Sequence, residues 1–239
     1  MATPPDHVSV ETLTGAVAQD QASRTCESKV LGHRKLSATG YELVLERRGL
    51  SFDPGMLITV HGRDVTEDRE YTISSGINDD AISLLYRWIP TGRLTSRLVK
   101  LKPGERVQWT GPHGGFTLRD LSRRIVFVAT GTGIAPCRSY ARSYPDLNLA
   151  ICHGVRVAED LFYREEFHSA NYLPCISGSK STDLHAGRVT DRIKNMEPDL
   201  QAHYYLCGAY EMIFDVTTIL QTAGVPESQI FTEPYYYKS

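Results

Sequence analysis

Hydrophobic and polar residues alternate in short segments through the first half of the chain, from about Cys26 to Leu118. The alternating segments are Tyr41–Glu46, Leu57–His61, Glu70–Ser74, Ile82–Trp88 and Arg106–Thr110. Alternation with a period of two is typical of strands that bury one face, and interruptions such as Asp53-Pro54-Gly55 are typical of turns. The pattern predicts an antiparallel β-barrel or sandwich.

After Asp120 the pattern changes to strands that alternate with helices. Arg124–Ala129 (RIVFVA) is almost entirely hydrophobic, as expected for a parallel strand buried on both faces. Further strands are predicted at Asn148–Gly154, Tyr172–Ser177, His203–Gly208 and Gln229–Thr232, and helices near Pro136–Arg142, Asp160–His168, Arg188–Asn195 and Tyr210–Thr222. This order predicts a doubly wound, five-stranded parallel sheet. We therefore expect a flexible tail over residues 1–25, an all-β antiparallel barrel domain over 26–119 and an α/β domain over 120–239.

Composition narrows the classes of function. The chain is 41% hydrophobic and 23% charged with a formal net charge of −2, which gives no reason to expect nucleic acid or an anionic membrane as partner. No hydrophobic run approaches the roughly 20 residues that span a bilayer, and residues 1–25 are polar, so a cytoplasmic protein is expected. The five cysteines are odd in number and widely spaced, which argues against a disulfide framework or a clustered metal site. An organic cofactor is the expected source of any redox chemistry.

A glycine-rich segment follows the first predicted strand of the α/β region. Gly131, Thr132, Gly133 and Pro136 lie where this strand turns into a helix. Backbone N–H groups and the positive end of the helix dipole can face a pyrophosphate at such a turn, and the glycines allow it to approach closely. The turn alone is weak support for nucleotide binding, because similar turns also occur for purely structural reasons.

A predicted barrel strand carries the sequence REYTISS. Alternation places Arg69, Tyr71 and Ile73 on one face and Thr72 with Ser74 on the other. At this point the chain resembles the ferredoxin–NADP reductase family, whose flavin-binding strand carries Arg-x-Tyr-Ser/Thr and whose nicotinamide domain opens with Gly-Thr-Gly-Ile-Ala-Pro. The resemblance covers roughly residues 27 to 239.

Further elements of that family occur in the same order along the chain. They are Phe52-x-Pro54-Gly55, Gly92-x-x-Thr95-Ser96, Lys102-Pro103-Gly104-Glu105, Gly111-Pro112-x-Gly114-Gly115-Phe116, and Cys207-Gly208 with Met212. The resemblance implies bound FAD, with Arg69 on its pyrophosphate and Tyr71 on its isoalloxazine ring. It also implies that the loop from Gly92 to Ser96 supplies donors to the same pyrophosphate. The remaining expected flavin contacts are Thr72, Ile73, Ser74, Tyr86, Leu94 and Thr95.

Hydride transfer requires the nicotinamide to lie against the flavin with water excluded, so the reacting residues are expected at the junction of the two domains. The resemblance implies catalytic roles there for Thr72, Cys207 and Glu233. In plant-type members, an aromatic residue two positions after the glutamate stacks on the flavin, and Tyr235 has that spacing. Because the chain continues for four more residues, Tyr236 and Tyr237 are alternatives for this stacking ring, and contact of the tail with the adenine end of the flavin is a further alternative.

The nucleotide is expected to be NADP(H) rather than NAD(H). A 2′-phosphate needs cationic or hydroxyl partners after the second and third strands, whereas a bare ribose is usually held by an acidic residue. NADP-using relatives commonly carry Ser-Arg where this chain has Ser177-Gly178, so we expect Lys180 to replace the missing arginine. The expected nucleotide contacts beyond the glycine-rich turn are Arg156, Ser177, Lys180, Arg188 and Gly208.

These features predict a monomeric reductase that exchanges hydride with NADP(H) and single electrons with ferredoxin or flavodoxin. An NADH-dependent oxygenase component or free-flavin reductase is the alternative, although the clustered cysteines of a fused iron–sulfur domain are missing from this chain. A flavin-binding sensor blocked by the tyrosine tail is a third hypothesis, against which the proposed catalytic residues argue. A local cationic cluster lies beside the proposed flavin loop and comprises Arg93, Arg97, Lys100 and Lys102. Two interpretations are open: the cluster docks an acidic carrier protein, or it is a solvated surface that keeps the barrel soluble.

Overall fold

The computed structural model describes residues 25–168, 170–178 and 185–235, and these residues form two β-sheets. The first sheet is antiparallel and consists of β1 (Cys26–Lys35), β2 (Gly40–Glu46), β3 (Leu57–Val60), β4 (Arg69–Thr72), β5 (Ala81–Arg87) and β6 (Arg106–His113). Its strand order is β4-β3-β6-β1-β2-β5. A bridge between Ile73 and Leu84 brings the two edge strands together and nearly closes the barrel. The predicted antiparallel barrel is confirmed.

The barrel interior follows from the alternation in the sequence. Leu43 lies opposite Leu84 and Leu45 opposite Ile82 in the register of β2 and β5, and all four side chains are fully buried. The alternation did not predict β1, because its pairing with β2 is irregular after Val30 and shifts the side chains relative to the sheet. A short helix, α1 (Arg93–Leu98), also replaces part of a predicted loop.

The second sheet is parallel throughout. Its strands are β7 (Ile125–Thr130), β8 (Leu149–Val155), β9 (Asn171–Ile176), β10 (His185–Ala186), β11 (His203–Ala209) and β12 (Ile230–Tyr235). Helices α2 (Ala135–Ser143), α3 (Val189–Lys194) and α4 (Tyr210–Thr222) connect them. The order β10-β9-β8-β7-β11-β12 contains the five predicted strands and adds the two-residue β10 at one edge. The winding reverses between β7 and β11, which is where ligands bind in open α/β sheets.

The boundary between the barrel domain and the α/β domain, expected near residue 119, stays a prediction. The predicted tail over residues 1–25 lies almost wholly outside the described residues. Within the described ranges, no helix has the length and hydrophobicity that a bilayer-spanning helix needs.

The predicted helix over Asp160–His168 is wrong. Two 3₁₀ turns, Ala158–Asp160 and Arg164–Glu166, occupy this region instead. Between them Tyr163 has a φ of 60°, a left-handed conformation that interrupts a right-handed helix. The segment turns toward the barrel, where the Tyr163 hydroxyl donates a hydrogen bond to the Glu42 carboxylate over 3.0 Å.

Helix α2 connects the parallel sheet to the barrel through buried polar contacts. The Arg138 guanidinium donates to Glu42 of the barrel over 3.0 Å, and two further bonds of 2.9 Å reach Glu166. The Ser139 hydroxyl donates to the carbonyl oxygen of Ser75, just beyond β4, over 2.7 Å. The contacts to Glu42 and Ser75 hold the helix that follows the glycine-rich turn against the barrel.

Candidate active site between the barrel and the parallel sheet

The ends of β4 and β12 meet where the two sheets face each other. The Thr72 hydroxyl donates to Oε2 of Glu233 over 3.1 Å and lies 2.8 Å from the Tyr235 hydroxyl. Cys207 is the register partner of Glu233 in the β11–β12 pair, and its Sγ lies 3.9 Å from Oε2. The structure thus brings together the three residues predicted to be catalytic, and Tyr235 with them.

Burial controls the protonation of this cluster. It raises the pKa of Glu233 from 4.5 to about 7, with Glu70 adding to the increase and the Thr72 hydrogen bond opposing it. Burial also raises the pKa of the Cys207 thiol and of the Tyr235 hydroxyl well above their ordinary values. Glu233 is therefore the member of the cluster that gains or loses a proton near neutral pH.

Arg69 and Tyr71 precede this cluster on β4. Arg69 is exposed, and its guanidinium donates to the backbone carbonyls of Thr66 and Asp68 over 3.0 and 2.7 Å. The ring of Tyr71 is half-buried and packs edge-on against Tyr86, with the centroids 6.1 Å apart. A guanidinium and a partly accessible flat ring, two residues apart on one strand, fit the pyrophosphate and the isoalloxazine ring of an FAD molecule.

Three other predicted flavin contacts are buried within the barrel. Ser74 donates its hydroxyl to the carbonyl of Ser83 over 2.9 Å, and the Tyr86 hydroxyl lies 2.7 Å from Nε2 of His33. Ile73 is fully buried as well. These side chains support β4 from inside the barrel.

The predicted pyrophosphate loop forms the start of α1. Gly92 is its N-cap, and Leu94 is buried beneath the turn. The Thr95 hydroxyl bonds to the backbone of Ile89 at 3.2 Å, and the Ser96 hydroxyl donates to the carbonyl of Pro90 over 3.2 Å. Both hydroxyls stabilise the turn itself, which leaves backbone N–H groups as its donors to a ligand.

A cleft of about 400 Å³ lies at the carboxyl ends of β7, β8 and β9. Four of the predicted nucleotide contacts line it together: Gly131, Arg156, Ser177 and Arg188. Lys180 lies outside the described residues. Sequence reasoning did not identify Glu211 and Asp215, which also line the cleft. Their spacing of four residues on α4, just after Gly208, is the signal that points to one helix face.

The glycine-rich turn packs directly on the end of β11. A Cβ on Gly133 would lie 2.4 Å from the carbonyl oxygen of Cys207, and one on Gly208 would lie 2.3 Å from Oγ1 of Thr130. Thr132 is buried within the turn, and Pro136 occupies the first turn of α2. The two glycines allow the turn and β11 to approach where the sheet winding reverses.

Known families match both halves of this arrangement. The family described as "Oxidoreductase FAD-binding domain" matches residues 34–118, and "Oxidoreductase NAD-binding domain" matches residues 127–218. The chain belongs to the ferredoxin–NADP(+) reductase family. As a member of this family, it is an FAD- and NAD(P)-binding oxidoreductase.

Similar curated proteins are named as components or subunits of redox enzymes. The "Toluate 1,2-dioxygenase electron transfer component" of Pseudomonas putida is 26% identical over 237 residues, covering 90% of this chain and 70% of the relative. One subunit of the Na(+)-translocating NADH-quinone reductase of Mannheimia succiniciproducens is 27% identical over 167 residues, covering 62% of this chain. The chain spans only 41% of the length of that relative.

Solved structures of ferredoxin–NADP(+) reductases and related proteins share the fold. The Amycolatopsis cytochrome P450 reductase GcoB superposes with a TM-score of 0.82 at 24% identity, covering 90% of this chain and 71% of that one. A ferredoxin NADP+ reductase from Neisseria gonorrhoeae with bound FAD and NADP superposes with a TM-score of 0.80 at 18% identity. The superposition covers 90% of this chain and 100% of that one. The barrel followed by a parallel sheet is therefore the architecture of this family.

Proposed function

We propose that this protein is a reductase that moves electrons between NADP(H) and a small electron-carrier protein through bound FAD. The observation that carries the proposal is the contact between Thr72 of the barrel and Glu233 of the parallel sheet, beside Cys207. This contact places a titratable carboxyl group at the junction where a flavin and a nicotinamide would meet.

The chain's own residues would bind, orient and exclude water at this junction. When bound, FAD supplies the conversion between hydride transfer and single-electron transfer. Glu233, with a pKa of about 7, gains or loses a proton near neutral pH, and its Oε2 accepts a hydrogen bond from the Thr72 hydroxyl. The buried Cys207 thiol stays neutral and occupies the end of β11, which keeps water from the junction.

Preference for NADP(H) is supported by the residues that follow the central strands. Arg156 follows β8, and Ser177 and Gly178 follow β9. Arg156 and Ser177 line the same cleft as Arg188. Guanidinium and hydroxyl groups suit a 2′-phosphate, and we include Lys180 in this set on the sequence alone.

A second candidate is an NADH-dependent reductase component of an oxygenase. Relatives named as components of toluate and terephthalate dioxygenases and of propane 2-monooxygenase favour it. Glu211 and Asp215 in the cleft favour it as well, because a carboxylate can bind the hydroxyls of an unphosphorylated ribose.

The carrier is proposed to dock on the cationic cluster beside α1. Two of its members already have partners, since Arg93 pairs with Glu67 at 3.2 Å and Arg97 donates to a backbone carbonyl. Lys100 and Lys102 are exposed and available to an acidic surface. A ferredoxin or flavodoxin is the kind of carrier that fits.

Reduction of a ferredoxin and of a flavodoxin, with NADPH and with NADH over a series of ionic strengths, tests this function. We expect NADPH to be preferred and the rate to fall as salt rises, because docking through charges is screened. The Lys100→Glu variant should raise the KM for the carrier several-fold, whereas Lys194→Glu, an exposed control on α3, should not. Strong preference for NADH with no reduction of either carrier would favour the oxygenase component.

A further inference from the structure

The buried side chain of His153 lies beneath the glycine-rich turn and has no part in the chemistry proposed above. On β8 it is fully buried, with Nε2 2.9 Å from the carbonyl oxygen of Gly131. Its Nδ1 lies 2.9 Å from the hydroxyl of Tyr172, a residue of β9. The Tyr172 ring in turn stacks on Phe167, with the centroids 5.5 Å apart.

The chemistry of these groups fixes the direction of both hydrogen bonds. Burial lowers the pKa of His153 to about 4, so the ring is neutral at physiological pH and carries one N–H. A carbonyl oxygen only accepts, so this proton is on Nε2 and is donated to Gly131. Nδ1 then accepts from the hydroxyl of Tyr172, whose pKa is raised by burial. The chain of bonds therefore runs from Tyr172 through His153 to the turn.

This bond determines how one peptide group of the turn is oriented. Gly131 has a φ of 52°, a left-handed conformation that favours glycine. In a planar trans peptide, the carbonyl and the N–H of the next residue point in opposite directions. Because the Gly131 carbonyl points to His153, the Thr132 N–H points in the opposite direction, away from His153, and Gly131 itself lines the cleft. Early N–H groups of a helical turn have no partner within it.

We propose that His153 and Tyr172 are positioning residues that hold the Gly131–Thr132 peptide with its N–H toward the cleft, ready for the pyrophosphate of a nicotinamide dinucleotide. The inference rests on the proposed function, since it assigns that dinucleotide to the cleft. His153 is fully buried and acts only through Gly131. Without it the peptide can rotate and present its carbonyl oxygen, which repels a phosphate.

Nucleotide affinity in the FAD-loaded protein tests this role. We compare His153→Leu, which removes both bonds, with His153→Gln, whose side-chain amide can still donate to Gly131. Titration with NADP+, NAD+ and ADP-ribose gives Kd, and steady-state rates give KM and kcat. His203→Leu is the matched control, because His203 is a buried histidine at the start of β11, away from the cleft.

His153→Leu is expected to weaken nucleotide binding about tenfold, the equivalent of one lost hydrogen bond, with kcat at saturation within about twofold of the wild type. His153→Gln should restore most of the affinity, and Tyr172→Phe, which retains the ring, should give an intermediate loss. Unchanged nucleotide affinity in His153→Leu and Tyr172→Phe, with only FAD content or thermal stability reduced, would overturn the inference. If the wild type binds none of the three nucleotides, the proposed function fails and the role of the turn fails with it.

Discussion

Thr72 and Glu233 are 161 positions apart in the chain, yet the Thr72 hydroxyl donates to the Glu233 carboxylate over 3.1 Å. The first residue ends a barrel strand, and the second lies in the last strand of the parallel sheet. This bond therefore forms only when the two halves of the protein are in place. It makes Glu233 the natural position at which to test how the junction works.

Stability should fall with pH because of Glu233. Its pKa is about 7 in the folded protein and 4.5 ordinarily, so the folded state binds the extra proton between these values. The stabilisation is complete below pH 4.5 and is lost as pH rises through 7. In the Glu233→Gln variant this contribution is absent. The difference in unfolding free energy between wild type and variant should fall by up to about 3 kcal/mol across the window, measured by urea denaturation at several pH values.

A difference that does not change with pH would show that Glu233 keeps its ordinary pKa in the folded protein. Thr72→Val is a useful companion, because it removes the hydrogen bond that lowers the pKa of Glu233. In this variant the stabilisation by protonated Glu233 should then persist to higher pH than in the wild type.

Gly133 should not tolerate a side chain. A Cβ there would lie 2.4 Å from the carbonyl oxygen of Cys207, a backbone atom that cannot move aside easily. Gly133→Ala is expected to cost about 2 kcal/mol or more of stability and to weaken nucleotide binding, because the turn must shift. Gly115→Ala is the control, since a Cβ at Gly115 meets nothing within 4 Å. Equal effects of the two substitutions on the unfolding midpoint and the nucleotide Kd would contradict the close packing of Gly133 on the Cys207 backbone.

Arg138 should contribute strongly to the association of the two halves. Its partner Glu42 is buried, and removal of the guanidinium leaves that carboxylate with Arg34 and Tyr163 as its side-chain partners among the described residues. Arg138→Met is expected to cost about 3 kcal/mol. Arg123→Met, which breaks an exposed pair with Asp120, should cost less than about 1 kcal/mol in the same denaturation experiment. A small loss of stability in Arg138→Met would mean that the buried pair of Arg138 and Glu42 is not needed for the association of the two halves.

Arg156 should discriminate between the two nucleotides. If it binds the 2′-phosphate, Arg156→Gln loses a charge-assisted hydrogen bond, which corresponds to an increase of about 10- to 100-fold in the KM for NADPH. The KM for NADH should change little. Arg164→Gln serves as a control, because Arg164 is exposed and lies outside this cleft. Equal losses for both nucleotides at Arg156 would place its contact on a group that NADPH and NADH share.

Regular periodicity made much of the fold predictable. The continuous hydrophobic strands of the parallel sheet and the alternating strands of the barrel appear where the pattern indicated, and α4 has the predicted bounds Tyr210–Thr222. β1 was missed because a bulge interrupts its alternation. The helix predicted near Asp160 failed because tertiary contacts, among them Tyr163 with Glu42, favour a left-handed residue that no local propensity indicates.

The candidate site, like the fold, could be predicted from the sequence only in part. Thr72, Cys207 and Glu233 were identified through motifs, and the structure brings them together. Their roles stay predictions. The partners of Arg138 and His153 could not be predicted, because each depends on contacts between segments far apart in the sequence. Burial also sets the pKa of Glu233, and no sequence motif encodes that burial.

Anaerobic stopped-flow reduction of the FAD-loaded protein by NADPH and by NADH shows directly whether hydride passes from the nucleotide to the flavin. Hydride transfer at the junction of Thr72, Cys207 and Glu233 predicts rapid bleaching of the flavin, with NADPH preferred over NADH at equal concentration. Glu233→Gln should slow the bleaching without releasing the flavin. Absence of bleaching with both nucleotides would rule out hydride transfer at this junction and leave a protein that binds flavin without using it for electron transfer.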